Sequence, residues 1–352
     1  MERKPHWKAV AVLWLLLITP VTAFAHVKWF TDFSFADAPR PLSETLSPTF
    51  FALAALSVGA VALAVFIDRF LSSRAFYEHI IAWFEERKVH APLVLRVGMG
   101  ATLLLSWQAN TLLAPDLAVA ESWIGWAQFA VAGLLLFPVT SPLAGVGVLA
   151  LYALAIAQFG VFYMLDYFVF VGVGVYLLVH RAAQPRLRGL RTPALFFSLG
   201  FSLAWLALEK LVYPQWGLYI LAENPQLLLG LDPEFFLKAT AFVEFSLGYL
   251  LIIGLLERPL ALVVTMVFFT TTLVFGKVEV IGHTILHAAL IVFLLEGPGE
   301  VYRAPITFHR RLPLRVAFAV VNFVLLLAIM LVPYQAIAEV QHSERTPVVS
   351  QR

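Results

Sequence analysis

The chain has 352 residues, of which 61% are apolar and only 13% are charged, with a formal net charge of +2. A soluble domain carries about twice that share of charged residues, so this composition excludes a soluble globular protein. The absence of cysteine excludes disulfides, thiolate metal sites, iron–sulfur clusters and covalent c-type haem within the chain. The basic residues form no patch that predicts binding to nucleic acid.

The first 25 residues have the organisation of a secretory signal. A basic stretch that ends at Lys8 precedes an apolar core from Ala9 to Thr22, and Ala23-Phe24-Ala25 is an A-x-A cleavage site. The alternative is an uncleaved first helix. Cleavage would leave His26 as the new N-terminus, followed by a polar and aromatic segment over residues 26–47 that we interpret as an exported, non-helical arm.

The rest of the chain predicts an all-α fold, a polytopic transmembrane helical bundle of about ten spans in a lipid bilayer. The predicted spans cover residues 49–67, 92–113, 123–139, 142–159, 162–180, 194–212, 237–255, 259–276, 279–296 and 314–333.

The distribution of basic residues predicts the topology. Arginine and lysine concentrate in loops that lie inside if the arm lies outside. We therefore expect a bacterial inner membrane protein with both mature termini outside. The section at 48–91 combines the first span with an amphipathic, cytoplasmic helix at the membrane interface, and residues 314–352 hold the last span and an exported tail.

Two sections of the chain predict an internal repeat. Residues 92–180 and 194–297 each supply four spans that enter from the same side, with Pro142 aligned on Pro259. Such repeats would be parallel, related by an axis near the membrane normal. On this alignment Asp166 in the first repeat corresponds to His283 in the second, so the second repeat carries more ionisable groups.

One predicted span carries three ionisable residues at helical spacing. Glu279, His283 and His287 are four residues apart, which places them along one face of a helix. Ionisable groups at membrane depth are costly and are therefore candidates for function. Glu209, Lys210 and Glu244 come from two other spans of the same repeat and are predicted at a similar depth. We predict that these six residues converge in the outer half of the membrane.

Three interpretations of this set remain open. The first is a metal site, in which Glu279, His283 and His287 are ligands, because His pairs four residues apart and a carboxylate are common metal ligands. The second is proton or quinol chemistry, because an imidazole and a carboxylate can take the two protons that a quinol loses. In that case Glu209, Lys210, Glu244, His283 and His287 are the catalytic candidates. The third is a set of structural contacts between helices.

His26 adds a more specific hypothesis for a metal. A mature N-terminal histidine offers an amine and an imidazole together, and copper has the highest affinity in the divalent series for nitrogen ligands. A copper site that combines His26 with His283 would join the arm to the bundle. The alternative is that cleavage happens to leave a histidine at this position.

Short motifs in the second repeat resemble the DoxX-like membrane proteins. The first helix ends in EKLVYP at Glu209–Pro214, the second carries Glu244 before Gly248, and the last ends in LLEG at Leu294–Gly297. The resemblance implies a four-helix bundle. The family's namesake is a subunit of a thiosulfate:quinone oxidoreductase, so the resemblance also implies a membrane or periplasmic redox partner and a quinone as cofactor. The leading interpretation is therefore a membrane subunit of a quinone-linked redox system, with copper handling or a purely structural assembly role as alternatives.

Overall fold

A computed structural model of the chain describes residues 26–228, 230–297 and 304–345. The predicted signal at 1–25 lies outside these residues, as does the end of the chain after Arg345. Helices account for 81% of the structure, and the described residues contain no β-strand. The prediction of an all-α protein is confirmed at this level.

Twelve helices of ten or more residues, α1 to α12 in chain order, build the described part of the chain. They are Pro48–Ser72, Ala75–Glu85, Ala91–Gln108, Ser122–Leu134, Ser141–Phe159, Val169–Val179, Arg191–Val212, Pro214–Glu223, Pro233–Ile253, Glu257–Phe275, Lys277–Glu296 and Leu312–Arg345.

Short helical turns connect or precede several of them. These turns are Val27–Trp29, Leu42–Thr45, Lys88–His90, Pro138–Thr140, Val161–Met164, Leu165–Tyr167, Pro185–Arg188, Pro225–Leu228 and Pro305–Phe308.

Eight helices in the described residues are long and apolar enough to cross a membrane: α1, α3, α5, α7 and α9 to α12, three of them counted with the turn that precedes them. A ninth candidate is the segment from Val161 to Val179, which bends by 64° between Tyr167 and Val169. The chain is therefore a multi-pass membrane protein.

Two segments differ from the predicted spans. The segment predicted over 123–139 forms α4, a helix of only 13 residues, which at 1.5 Å per residue is shorter than the apolar core of a bilayer. The last helix continues through Pro333 to Arg345, beyond the predicted end of its span at residue 333.

The helices α3 to α6 and the helices α7, α9, α10 and α11 pack in one closed ring. Along the chain α3 contacts α4, α4 contacts α5, and α5 contacts α6; in the second half α7, α9, α10 and α11 contact one another in the same order. The ring closes because α6 packs against α7 and α11 packs against α3. The third helix of each half also ends at a glycine with positive φ, Gly160 and Gly276. The two halves thus have the same order of contacts, while their origin as a repeat stays a prediction.

One close packing contact in the ring joins α7 to α9 through two glycines. A Cβ atom added at Gly248 would lie 2.5 Å from the carbonyl oxygen of Gly200 and 2.8 Å from the backbone nitrogen of Ala204. Small residues that allow two backbones to approach are the usual means of packing helices in a membrane. This contact fixes the position of Glu244, which lies one helical turn before Gly248.

The Gly248→Ala variant should be less stable than the wild type by about 1–3 kcal/mol, because the added methyl group forces α7 and α9 apart. Unfolding of the purified protein in detergent measures the change. Gly133→Ala is the matched control, because Gly133 also lies within a helix of the ring and no heavy atom lies within 4 Å of its added Cβ. Equal losses of stability in the two variants would contradict the close contact.

Candidate functional site: a buried acid–base cluster under the arm

The arm enters the bundle and places a lysine between its two halves. Lys28 lies in the turn Val27–Trp29 and forms an ion pair with Asp166. Its Nζ also lies 2.8 Å from Oε2 of Glu209. The three side chains are at most 3% exposed. Asp166 belongs to the first half and Glu209 to the second, so the arm joins both.

The local backbone explains why these carboxylates face the arm. Asp166 lies in the turn Leu165–Tyr167, next to the 64° bend of the segment from Val161 to Val179. Its side chain therefore points in a different direction from the one that a continuous helix would give it. Glu209 lies in the last turn of α7, which ends at Val212. The backbone N–H of Arg40 donates to the Val212 carbonyl at 2.7 Å, so the arm also covers this helix end.

Next to Glu209 on the same helix, Lys210 points to α9. Its Nζ lies 2.6 Å from Oε2 of Glu244. Consecutive residues on a helix are about 100° apart, which lets Glu209 contact the arm while Lys210 contacts α9. The predicted convergence of Glu209, Lys210 and Glu244 is therefore present in the structure.

Glu279 and His283 form a second pair on α11. The carboxylate of Glu279 contacts Nδ1 of His283 and accepts a hydrogen bond from the Thr271 hydroxyl at 3.0 Å. The His283 ring stacks on Phe268 at 4.4 Å. His287 is half-buried, and its ring lies 6.4 Å from that of His283.

His26 lies between these two groups. Its ring stacks on Trp29 at 4.0 Å and on Tyr167 at 5.4 Å, and lies 6.2 Å from the ring of His283. Burial, followed by the positive charges at His283, Lys210 and Lys28, lowers the pKa of His26 well below its ordinary value. The imidazole of His26 is therefore neutral at neutral pH, which is the form that can bind a metal.

The pKa of Lys28 is raised above its ordinary value. Burial opposes its charge, but Asp166 and Glu209 outweigh that effect through their charges and hydrogen bonds. Lys28 is therefore an ammonium ion at any physiological pH, and it is the positive end of the contact between arm and bundle.

A tyrosine pair extends the site to the loop after α3. The hydroxyl groups of Tyr163 and Tyr167 both donate to Asp116, the latter at 2.6 Å, and the indole N–H of Trp29 donates to Tyr167 at 2.8 Å. Burial raises the pKa of Asp116, although the two hydroxyl groups and Lys28 act in the opposite direction. Asp116 is thus a further proton-binding group at this end.

We refer to this assembly as the arm-end cluster. Its members are His26, Lys28, Asp116, Asp166, Glu209, Lys210, Glu244, Glu279 and His283.

Among the described residues, no group of three or more His, Asp or Glu side chains is placed to hold a metal ion. The proposed ligands His26, Glu279, His283 and His287 approach one another in pairs. A copper site would therefore need a further donor, such as the α-amine that cleavage of the signal would create at His26.

A small cavity adjoins the cluster and is lined by His26, Trp29, Asp166 and Ser202, with apolar neighbours. The centre of a water molecule can move within about 10 Å³ of this cavity, so the cavity holds about one water molecule. A drug-sized ligand needs a few hundred Å³. In the structure, this cavity has room for a proton carrier such as water but not for a quinone ring.

Sequence reasoning missed Lys28, Asp116 and Tyr167 as members of the site. The position of Lys28, within an aromatic stretch just after the predicted cleavage site, could have marked it as a candidate. The sequence of the arm, however, does not indicate which part of the bundle the arm packs against. Asp166 was identified only as the counterpart of His283.

No protein-family model, no curated protein and no solved structure matches this chain.

Proposed function

We propose that this chain is a proton-handling membrane subunit of a quinone-linked redox system, and that the arm-end cluster takes up and releases the protons. One observation carries the proposal. The cluster holds five carboxyl groups but only two lysines, and ion pairs, hydrogen bonds and ring stacks hold these groups in place.

The imbalance has a direct physical consequence. Isolated carboxylates in apolar surroundings are unstable unless a positive charge is close. Lys28 and Lys210 neutralise two of the five carboxylates, so protons or an external cation have to balance the others.

The short motifs shared with DoxX-like proteins support the link to a quinone. A quinol that is oxidised releases two protons, and a subunit beside such a reaction needs groups that receive them. In this proposal the arm and the C-terminal end of α12 face the outer side of a bacterial inner membrane, so the cluster exchanges protons with that side.

Infrared difference spectroscopy tests the proposal. Between about pH 5 and about pH 9, the purified protein should gain and lose the carbonyl band of protonated carboxyl groups, and Glu244→Gln should remove part of that band. Glu223→Gln is the matched control, because Glu223 is exposed at the end of α8 and should leave the band unchanged. A spectrum without titrating carboxyl groups would refute proton handling and favour a purely structural role.

A second candidate is copper handling, which the approach of His26 to His283 favours. The mature α-amine of His26 would complete a nitrogen donor set with the two imidazoles. Metal analysis of the purified protein should then show copper in the wild type and much less in His26→Ala. Equal copper in both would rule out this candidate.

A further inference from the structure

A second polar cavity lies at the opposite end of the bundle from the arm. Helix α9 begins beside the arm, where Glu234 pairs with Arg40 at 2.8 Å, and Gly254, the residue after the end of α9, lines this cavity. The 21 residues of α9 measure about 31 Å at 1.5 Å per residue. This far-end cavity is therefore about one membrane thickness away from the arm.

The far-end cavity has a volume of about 370 Å³, which falls in the range of small-molecule sites. It lies between the end of α1, helix α2, the start of α10, the turn Pro305–Phe308 and the start of α12. Its lining residues are Asp68, Ser72, Tyr77, Ile81, Gly254, Leu256, Glu257, Arg258, Ala304, Ile306, Thr307 and Arg315.

One charged residue of the lining has no partner of opposite charge. Arg315 on α12 pairs with Asp68 on α1 at 3.3 Å. Arg258 pairs with Glu85 on α2, outside the lining. Glu257, in contrast, forms no ion pair and no side-chain hydrogen bond with any other described residue. A half-buried carboxylate of this kind is stabilised by a cation that comes from outside the protein.

The contacts of Arg258 hold its guanidinium group on the neighbouring helices. Besides pairing with Glu85, it donates to the Leu294 carbonyl at 2.8 Å. Glu85 lies 3.6 Å from the exposed Lys88 as well, so the charge at Glu85 is already balanced on the outer face of α2. The acceptor that the cavity offers to a ligand is therefore Glu257.

Hydroxyl groups form another wall of the cavity. Ser72 and Tyr77 line it, and neither hydroxyl group has a hydrogen-bond partner among the described residues. Burial raises the pKa of Tyr77, so this hydroxyl group keeps its proton and can donate. The exposed Arg74 lies between these two residues in the chain. This side of the cavity suits an anionic group, whereas Glu257 suits a cationic one.

The backbone that presents Glu257 is strained. The preceding residue, Leu256, has a φ of 56°, a left-handed conformation that is unusual for a residue other than glycine. Such strain persists where the surrounding structure enforces it, and it concentrates at ligand sites. The strain is a second observation, independent of charge, that marks this turn as a ligand site.

The position of the cavity indicates where its ligand comes from. The cavity lies at the ends of two predicted spans, α1 and α10, and α2 borders it through Tyr77 and Ile81. Helix α2 has no fully buried residue and exposes Phe76, Ile80 and Trp83. An amphipathic helix with exposed aromatic and aliphatic side chains lies in the membrane interface, which is the depth of the lipid head groups.

We propose that the far-end cavity binds the head group of an aminophospholipid such as phosphatidylethanolamine. The ammonium group of the lipid contacts the Glu257 carboxylate, its phosphate accepts from the hydroxyl groups of Ser72 and Tyr77, and its acyl chains lie along the apolar side chains of α2. A primary ammonium group donates N–H bonds to a carboxylate, whereas the trimethylammonium group of phosphatidylcholine has no N–H to donate. The inference does not rest on the proposed function.

Native mass spectrometry of the full-length protein, released from nanodiscs of equal parts phosphatidylethanolamine, phosphatidylcholine and phosphatidylglycerol, tests the inference. We expect the wild type to retain phosphatidylethanolamine about tenfold more than phosphatidylcholine, because only the former makes the charge-assisted hydrogen bond to Glu257. Glu257→Gln should abolish this preference. Glu223→Gln is the matched control, because it removes an exposed carboxylate at the end of α8 and should keep the preference.

Tyr77→Phe separates the two ends of the head group. It removes a donor to the phosphate, which both lipids carry, so it should weaken the retention of both and leave their ratio unchanged. Tyr77 and Glu257 are both partly exposed, so an unchanged unfolding temperature can verify that each variant folds.

Three outcomes would overturn the inference. Equal retention of phosphatidylethanolamine and phosphatidylcholine by the wild type would show that Glu257 does not select an ammonium group, as would a preference that survives Glu257→Gln. Preferential retention of phosphatidylglycerol would assign the cavity to an anionic head group. Displacement of phosphatidylethanolamine by soluble phosphoethanolamine at equal concentration would assign it to a soluble ligand.

Discussion

Replacing Lys28 by methionine should lower the free energy of unfolding by about 3–5 kcal/mol, because it leaves Asp166 and Glu209 buried without their shared cation. Methionine keeps most of the apolar stem of the side chain, so the loss comes mainly from the charge. We expect a lower unfolding temperature in detergent and faster cleavage of the arm by added protease. The comparison with wild type can be made in the same detergent and at the same ionic strength.

Two further variants decide whether charge is the cause. Asp166→Asn and Glu209→Gln, combined with Lys28→Met, should restore most of the lost stability, because no buried charge is then left without a partner. Lys277→Met is the matched control, since Lys277 is exposed and its loss should have little effect. A Lys28→Met protein as stable as the wild type would contradict the burial of the arm.

The arm can also be displaced without a change of charge. A Cβ atom added at Gly282 would lie 1.8 Å from the ring of Trp29. Gly282→Ala should therefore push Trp29 away from α11 and expose the arm to protease, with Asp166, Glu209 and Lys28 all unaltered. Faster cleavage in this variant would show that close packing of the arm against α11 protects the arm, in addition to its charges.

Local pattern predicted most of the helices. The span predicted over 279–296 is Lys277–Glu296 in the structure, and that over 237–255 is Pro233–Ile253. These helices are long, apolar and bounded by glycine or proline, so their limits depend on nearby residues. The short α4 was not predicted, because the apolar run over 123–139 continues beyond the end of the helix at Leu134 without a charge to mark it.

Only the part of the candidate site that lies on neighbouring helices was predicted from the sequence. Glu209, Lys210 and Glu244 lie on neighbouring helices of one half, so their depth along the chain was enough to place them together. Lys28 reaches Asp166 across 138 residues of sequence. Nothing in the residues near Lys28 shows that the arm folds back into the bundle, since this depends on the shape of the gap between the two halves.

The composition of the arm-end cluster predicts that replacing Lys210 and replacing Glu244 lower the free energy of unfolding by different amounts. Lys210→Met should cost about 3–5 kcal/mol, because it leaves Glu244 buried without its cation. Glu244→Gln should cost less, because the freed Lys210 remains in a cluster that has more carboxylates than lysines. Unfolding measurements on the two single variants and the double variant would give both losses and their coupling.

The direction of that asymmetry tests the interpretation of the whole cluster. In a balanced structural ion pair, removing either partner leaves one unpaired charge, so the two losses should be similar. In a cluster with excess acid, the lysine is the scarce component and its loss should dominate. Equal losses for Lys210→Met and Glu244→Gln would therefore favour a balanced structural pair between α7 and α9, whereas a larger loss for Lys210→Met is the result expected of a cluster with excess acid.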